Sequence, residues 1–208
     1  MQLTSSGWPN GGRIPARYAA GRPDAETTVT FADDLSPPLE WSGVPEGTRS
    51  FVLLVRDLDV PSRADDVNQP DREVPGTLPR VEFFHWVLVD LPATLCGLAE
   101  GEGSAGFVPR GKPGPAAPHG ARHGLNDYTG WFASDPAMRG AYHGYDGPFP
   151  PFNDTLVHRY VFTLYALDVE RLEVAGSFTG AHVRAAMAGH VLAEASYRGS
   201  YTLNARLV

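Results

Sequence analysis

SFVLLVRDLD, residues 50–59, is rich in β-branched and apolar residues and lacks a helical period, so it reads as a strand. Alternation places Phe51, Leu53, Val55, Asp57 and Asp59 on one face, which makes an apolar face end in two carboxylates. FFHWVLVDL (83–91) is apolar on both faces, as a central or sandwiched strand is, with His85 sharing a face with Val87 and Val89. HRYVFTLYALD (158–168) sets His158, Tyr160, Phe162 and Leu164 on one side. Shorter strands are expected at 29–31, 39–41 and 200–203.

Only one helix reads clearly. Thr179 is a plausible N-cap, Phe178 and Val183 occupy staple positions, and Val183, Met187 and Val191 recur at helical spacing to about Glu194. The chain holds 23 glycines and 19 prolines in 208 residues, which excludes a helical bundle because both interrupt helices. Long strands, turn-rich connections and too few helices for βαβ crossovers predict a mainly β fold. The expected form is an antiparallel two-sheet β-sandwich with a C-terminal helix and long Gly/Pro-rich loops. No repeat or linker divides the chain, so residues 1–208 are expected to form a single domain. Residues 92–157 show no extended periodicity, and loops of that length are usually functional.

Lys and Arg number 17 against 24 Asp and Glu, a net charge of −7, with the basic residues scattered. That excludes a phosphate-neutralising nucleic-acid face. The single cysteine, Cys96, cannot form an internal disulfide. The N-terminal MQLTSSGWPNGGRIP has no basic-then-apolar leader pattern, and no apolar run reaches membrane-spanning length, so the expectation is a cytoplasmic protein with no membrane span.

Three motifs imitate function. GEGSAG (101–106) matches a dinucleotide fingerprint but neither follows a strand directly nor opens a helix pattern. His119 and His123 have metal-ligand spacing for one helix face, yet Pro118 and flanking glycines argue for a loop. Asn153-Asp154-Thr155 matches a glycosylation acceptor and, without a leader, reads as a turn.

A dispersed set carries more chemistry. Asp57, Asp59, His85, His158 and Tyr160 all fall at strand ends on apolar faces. Buried carboxylates need partners, and a carboxylate beside a histidine favours imidazolium. Two such rings would make a small cationic site for an anion, with the Tyr160 hydroxyl and a close backbone N–H at Gly147 as donors. A purely structural Asp–His pair fits equally well, and spacing alone does not choose.

The segments SPPLEWSGVPEGTRSFVLLVRDLDVP (36–61), FFHWVLVDLP (83–92), LNDYTGW (125–131), YDGPFPPFNDTLVHRYVFTLYALDV (145–169) and LAEASYRGSYTL (192–203) resemble the phosphatidylethanolamine-binding protein family. Within it they are similar to the bacterial and archaeal Raf-kinase-inhibitor-like branch of the YbhB/YbcL type. The resemblance implies a two-sheet sandwich with a small, rigid anion pocket at one end. The ligand-binding residues it implies are Asp57 and Asp59 of the D-x-D-x-P segment, His85 and Trp86 of the H-W strand, Gly147 and Pro148 of the G-P-x-P-P turn, and His158 and Tyr160 of the H-R-Y strand. Pro61, Pro150 and Pro151 complete the turns. Leu58, Val60 and Phe149 depart from the family pattern, and the extra residues 68–80 and 153–157 are expected at the pocket as a lid, a lip or a tolerated surface insertion.

The function implied is non-enzymatic binding of an anionic small molecule or phospholipid head group, without cofactor or metal. The alternative is a regulator that docks a protein partner through the pocket rim, with an exposed aromatic loop of Trp131, Phe132, Tyr142 and Tyr145 as anchors. A second copy of the chain, as a homodimer, is a further candidate partner. An Asp/His acid–base hydrolase ranks third, because no nucleophile elbow accompanies the histidines.

Overall fold

The computed structural model describes all of residues 1–208. Its strands are β1 (Gln2–Thr4), β2 (Gly21–Asp24), β3 (Thr28–Phe31), β4 (Leu39–Ser42), β5 (Ser50–Pro61), β6 (Arg80–Pro92), β7 (Gly97–Leu98), β8 (Gly111–Lys112), β9 (Arg122–His123), β10 (Ala141–Tyr142), β11 (His158–Leu167) and β12 (Val191–Tyr201). Two short helices are α1 (Tyr128–Trp131) and α2 (Gly180–Ala186). The three long runs read from sequence are β5, β6 and β11. They form the centre of a five-stranded antiparallel sheet in the order β12-β11-β5-β6-β9.

Alternation along these strands builds two cores. Phe51, Leu53, Val55, Trp86, Leu88, Phe162 and Leu164 face Leu3, Leu39, Trp41 and Leu98 of the three-stranded sheet β1-β4-β7, which closes the sandwich. On the opposite face Val52, Leu54, Phe84, Val87 and Val89 are covered by Phe178, Val183 and Met187 at α2. Residues buried on both faces explain why β6 shows no polar alternation. No helix is long and apolar enough to cross a membrane.

Two sequence expectations are corrected here. The helix after Thr179 stops at Ala186, because Gly189 takes a left-handed φ of 84° and the chain turns into β12. Val191 therefore pairs with Leu167 in the sheet instead of continuing the helical stripe. Second, His85 does not share a face with Val87 and Val89. Val55 pairs with Trp86 and Arg56 with Phe84, so His85 is the extra residue of a β-bulge. The bulge reverses the alternation, which sends Phe84 and Val87 to the helix side while His85 and Trp86 both face the sandwich interior.

Candidate functional site

At the end of the large sheet, where β5 and β11 begin to separate, lies a cavity of about 140 Å³. Its floor is formed by Asp57, His85, His158 and Tyr160, and its walls by Phe83, Tyr128, Phe149, Pro150 and Pro151. Asn68 of the inserted segment and Val67 just before it, with Trp131, Phe132, Val60 and Pro61, complete the rim. No lysine or arginine lines it.

His158 is fully buried between two carboxylates. Its Nδ1 donates to Asp57 Oδ2 at 2.7 Å and its Nε2 to Asp154 Oδ2 at 3.0 Å. Burial alone would lower its pKa, but Asp57 and Asp154 more than offset this and raise it from 6.5 to about 9. The ring is thus an imidazolium whose two protons are already committed. Asp154 is in turn gripped by both terminal nitrogens of Arg80, at 2.5 and 3.0 Å. Against the cost of its burial, His158 and Arg80 hold its pKa below the usual carboxylate value.

His85 differs in every respect. The bulge aims its ring at the cavity, where it stands edge-on to Tyr160 and Tyr128 with centroids 5.3 and 5.5 Å away. Its Nδ1 lies 2.7 Å from the Asp146 carbonyl oxygen. A carbonyl only accepts, so Nδ1 carries the proton and the neutral ring presents a bare lone pair at Nε2, which has no protein partner. Burial, only partly opposed by the Asp57 charge, lowers the pKa of His85. Beside it the Tyr160 hydroxyl is buried and makes no hydrogen bond. Burial and the nearby Asp57 carboxylate push its pKa well up, so it remains a donor.

Behind His85 a polar cluster fixes the Asp146 main chain. Lys112 Nζ donates to Asp146 Oδ1 at 2.6 Å and Asn126 Nδ2 to Asp146 Oδ2 at 2.7 Å. Asp34 accepts the Gly147 N–H at 2.7 Å. Burial and the neighbouring Asp146 charge drive the pKa of Asp34 well up.

Of the residues expected at the site, Asp57, His85, His158 and Tyr160 meet at the floor, and Pro61, Pro150 and Pro151 lie on the walls and rim. Four others are elsewhere. Asp59 turns to Arg159, accepting from its Nε at 2.9 Å and its Nη2 at 2.7 Å. Trp86 is in the sandwich core, donating to His123 Nδ1. The Gly147 N–H is taken by Asp34, and the Pro148 carbonyl accepts from Ala20 and Gly21. Nor are there two cationic rings, since only His158 is charged. Tyr142 and Tyr145 are fully buried, leaving Trp131 as the one strongly exposed aromatic of that expected loop.

The mimicking motifs dissolve. GEGSAG packs against Trp86 and no helix follows it. His119 is on the surface beside Glu102, whereas His123 is buried. The inserted segment forms a pinned lip: Asn153 Nδ2 donates to the carbonyls of Asp66, Gln69 and Arg72, and its Oδ1 accepts from Asn68 N. Asp154, Asp146, Lys112, Asn126 and Arg80 were not read from sequence. Asp154 alone left a local signal, a carboxylate four residues before His158 in NDTLVH.

The profile of the family described as phosphatidylethanolamine-binding protein matches residues 4–202. The UPF0098 protein YbhB of Escherichia coli K12 is 32% identical over 202 residues, covering 97% of this chain and all of that one. Among solved structures, E. coli YbcL, described as a new member of the mammalian PEBP family, matches with TM-score 0.66 and 28% identity over 97% of both chains. The Chlamydia trachomatis PEBP homologue CT736 matches with TM-score 0.64 and 30% identity, over 96% of this chain and 95% of that one.

Proposed function

The chain belongs to the phosphatidylethanolamine-binding protein family, and from that premise we propose that it is a non-enzymatic binding protein whose cavity holds a small phosphate-bearing ligand, such as a phospholipid head group. One observation carries this reading: the Tyr160 hydroxyl is buried without a hydrogen bond, and beside it the bare Nε2 of His85 borders the cavity. An unmet buried donor costs about 1–3 kcal/mol, and an oxygen-rich ligand would recover it. The cavity of about 140 Å³ lies well below drug-sized sites, which supports a head group over an acyl chain.

Calorimetric titration of phosphoethanolamine into the wild type, His85→Ala and Tyr160→Phe tests it. Binding in the wild type that falls about tenfold in Tyr160→Phe, the loss of one buried hydrogen bond, is expected. Equal affinity in all three proteins would remove the site assignment. A second reading, docking of a protein partner on the rim, is favoured by Trp131 on the rim and by Phe31, which packs edge-on against the wall residue Phe149; they are 40% and 49% exposed. Its test is whether Trp131→Ala abolishes a specific partner in a pull-down while leaving phosphoethanolamine binding intact.

A further inference from the structure

Resting on that reading of the pocket, and narrowing it to the free head group as opposed to the same group within an intact phospholipid, we infer that the site selects phosphomonoesters in their singly charged, protonated form over phosphodiesters. The inference follows from the hydrogen-bond polarity of the floor. His85 is locked by the Asp146 carbonyl into the tautomer with a bare Nε2, so at this atom the pocket asks for a donor. Tyr160, its neighbour across 5.3 Å between ring centroids, makes no hydrogen bond and offers its proton to the cavity beside the Asp57 carboxylate. A ligand that satisfies both must donate and accept at adjacent oxygens. The group P(O⁻)(OH) does so. A diester has two non-bridging oxygens but no hydrogen, and it can meet Nε2 only after His85 takes a proton from solvent.

The charges around His85 point the same way. β5 presents the Asp57 carboxylate, β11 presents the His158 imidazolium and Tyr160, α1 presents Tyr128, and the segment behind presents the Asp146 carbonyl with its carboxylate turned to Lys112 and Asn126. The one cation among the lining groups, His158, has both N–H groups on carboxylates. Tyr128 spends its hydroxyl on the Gly147 carbonyl at 3.0 Å. A doubly charged phosphate therefore meets no free cation and one carboxylate, whereas a singly charged, protonated one meets a complementary pair. Burial opposes charging of His85, so a diester can use Nε2 as a donor only against that cost.

Methyl phosphate and dimethyl phosphate are the probes, titrated calorimetrically into the full chain in two buffers of different ionisation heat, which counts protons taken up. At pH 5.5, where methyl phosphate is mostly singly charged, it should bind about tenfold more tightly than dimethyl phosphate, the worth of one buried hydrogen bond, and without net proton uptake. Dimethyl phosphate should bind with uptake of a proton and gain up to about tenfold for each unit the pH is lowered, until His85 is itself protonated. In His85→Gln, whose amide donates without titrating, the preference and the diester's pH slope should both vanish. In Tyr160→Phe both esters should weaken while the preference stays. Equal affinities in the wild type, or diester binding without proton uptake, would overturn the selectivity and leave the anion pocket standing. If neither ester binds at any pH, the anion pocket itself falls and the selectivity with it.

Discussion

Asp57 and His158 are joined across the β5–β11 pair by a buried hydrogen bond of 2.7 Å, and this makes the histidine a stabilising cation with a defined pH window. Its pKa rises from 6.5 to about 9 on folding, burial being outweighed by Asp57 and Asp154. A raised folded pKa gives stability that is fully present below 6.5, declines above it and is gone once the pH passes about 9. The size is on the order of 3 kcal/mol. Urea unfolding at pH 6, 7.5 and 9.5 should show this loss in the wild type, and His158→Gln should lack that component of the slope. The same slope in both proteins would refute the assignment.

Lys112 gives the second prediction. Asp34 and Asp146 are buried together, and burial raises the pKa of each above 3.8, with the Lys112 charge opposing the rise. A carboxyl with a raised folded pKa costs nothing at low pH and subtracts stability as the pH climbs past 3.8 toward the folded value. Lys112→Met removes the opposing cation. The variant should lose about 3–5 kcal/mol at neutral pH and less near pH 4, where the carboxyls are protonated. Its His85 should also be less well positioned, read as weaker phosphate binding at a pH where folding is complete. A deficit independent of pH would show that Lys112 acts only through packing.

The sheet and the pocket floor were legible because Asp57, His85, His158 and Tyr160 belong to strands whose neighbours fix them. Asp57 continues the face of Phe51, Leu53 and Val55, and Tyr160 that of Phe162 and Leu164, so period two suffices. Where the ladder slips, period two fails. The bulge at His85 put Val87 and Val89 on the wrong side, and the irregular pairing between Asp57 and Val60 turned Asp59 to Arg159. Asp154, Asp146 and Lys112 come from connections without periodicity, where position depends on tertiary contacts such as Arg80 to Asp154. No local pattern could place them.

Asn153 tests whether the inserted segment is a fixed lip. Its side chain makes four hydrogen bonds to the main chain of residues 66–72, and Val67 and Asn68 border the cavity. Asn153→Ala should release that segment locally while the sheet persists. Hydrogen exchange at Asn68 should accelerate, trypsin should cut at Arg63 or Arg72, and phosphoethanolamine should dissociate faster. The expected loss of global stability is about 1–3 kcal/mol, that of buried polar groups left unmet. Unchanged exchange at Asn68 would show the lip to be held by other contacts, Val74 with Thr155 among them.

Gly147 separates a residue needed by the ligand from one needed by the fold. The sequence placed it at the pocket so that its N–H could meet an anion, but that N–H is taken by Asp34. What demands glycine is the chain opposite: a Cβ at this position would sit 2.2 Å from the Tyr18 carbonyl oxygen and 2.9 Å from the Tyr145 hydroxyl. Neither can yield easily, because the Tyr145 hydroxyl donates to that same carbonyl at 2.5 Å. Gly147→Ala should therefore force the Tyr18 and Gly147 segments apart at a cost of about 1–3 kcal/mol or more, a Tm drop of several degrees in a chain of this size. Gly130→Ala, where the new Cβ meets nothing within 4 Å, is the control and should leave Tm within about one degree. Below its own Tm, Gly147→Ala should bind phosphoethanolamine within about threefold of the wild type, less than the tenfold loss of a direct hydrogen bond. The opposite pattern, normal stability with abolished binding, would return the Gly147 N–H to the ligand and with it the role read from the sequence.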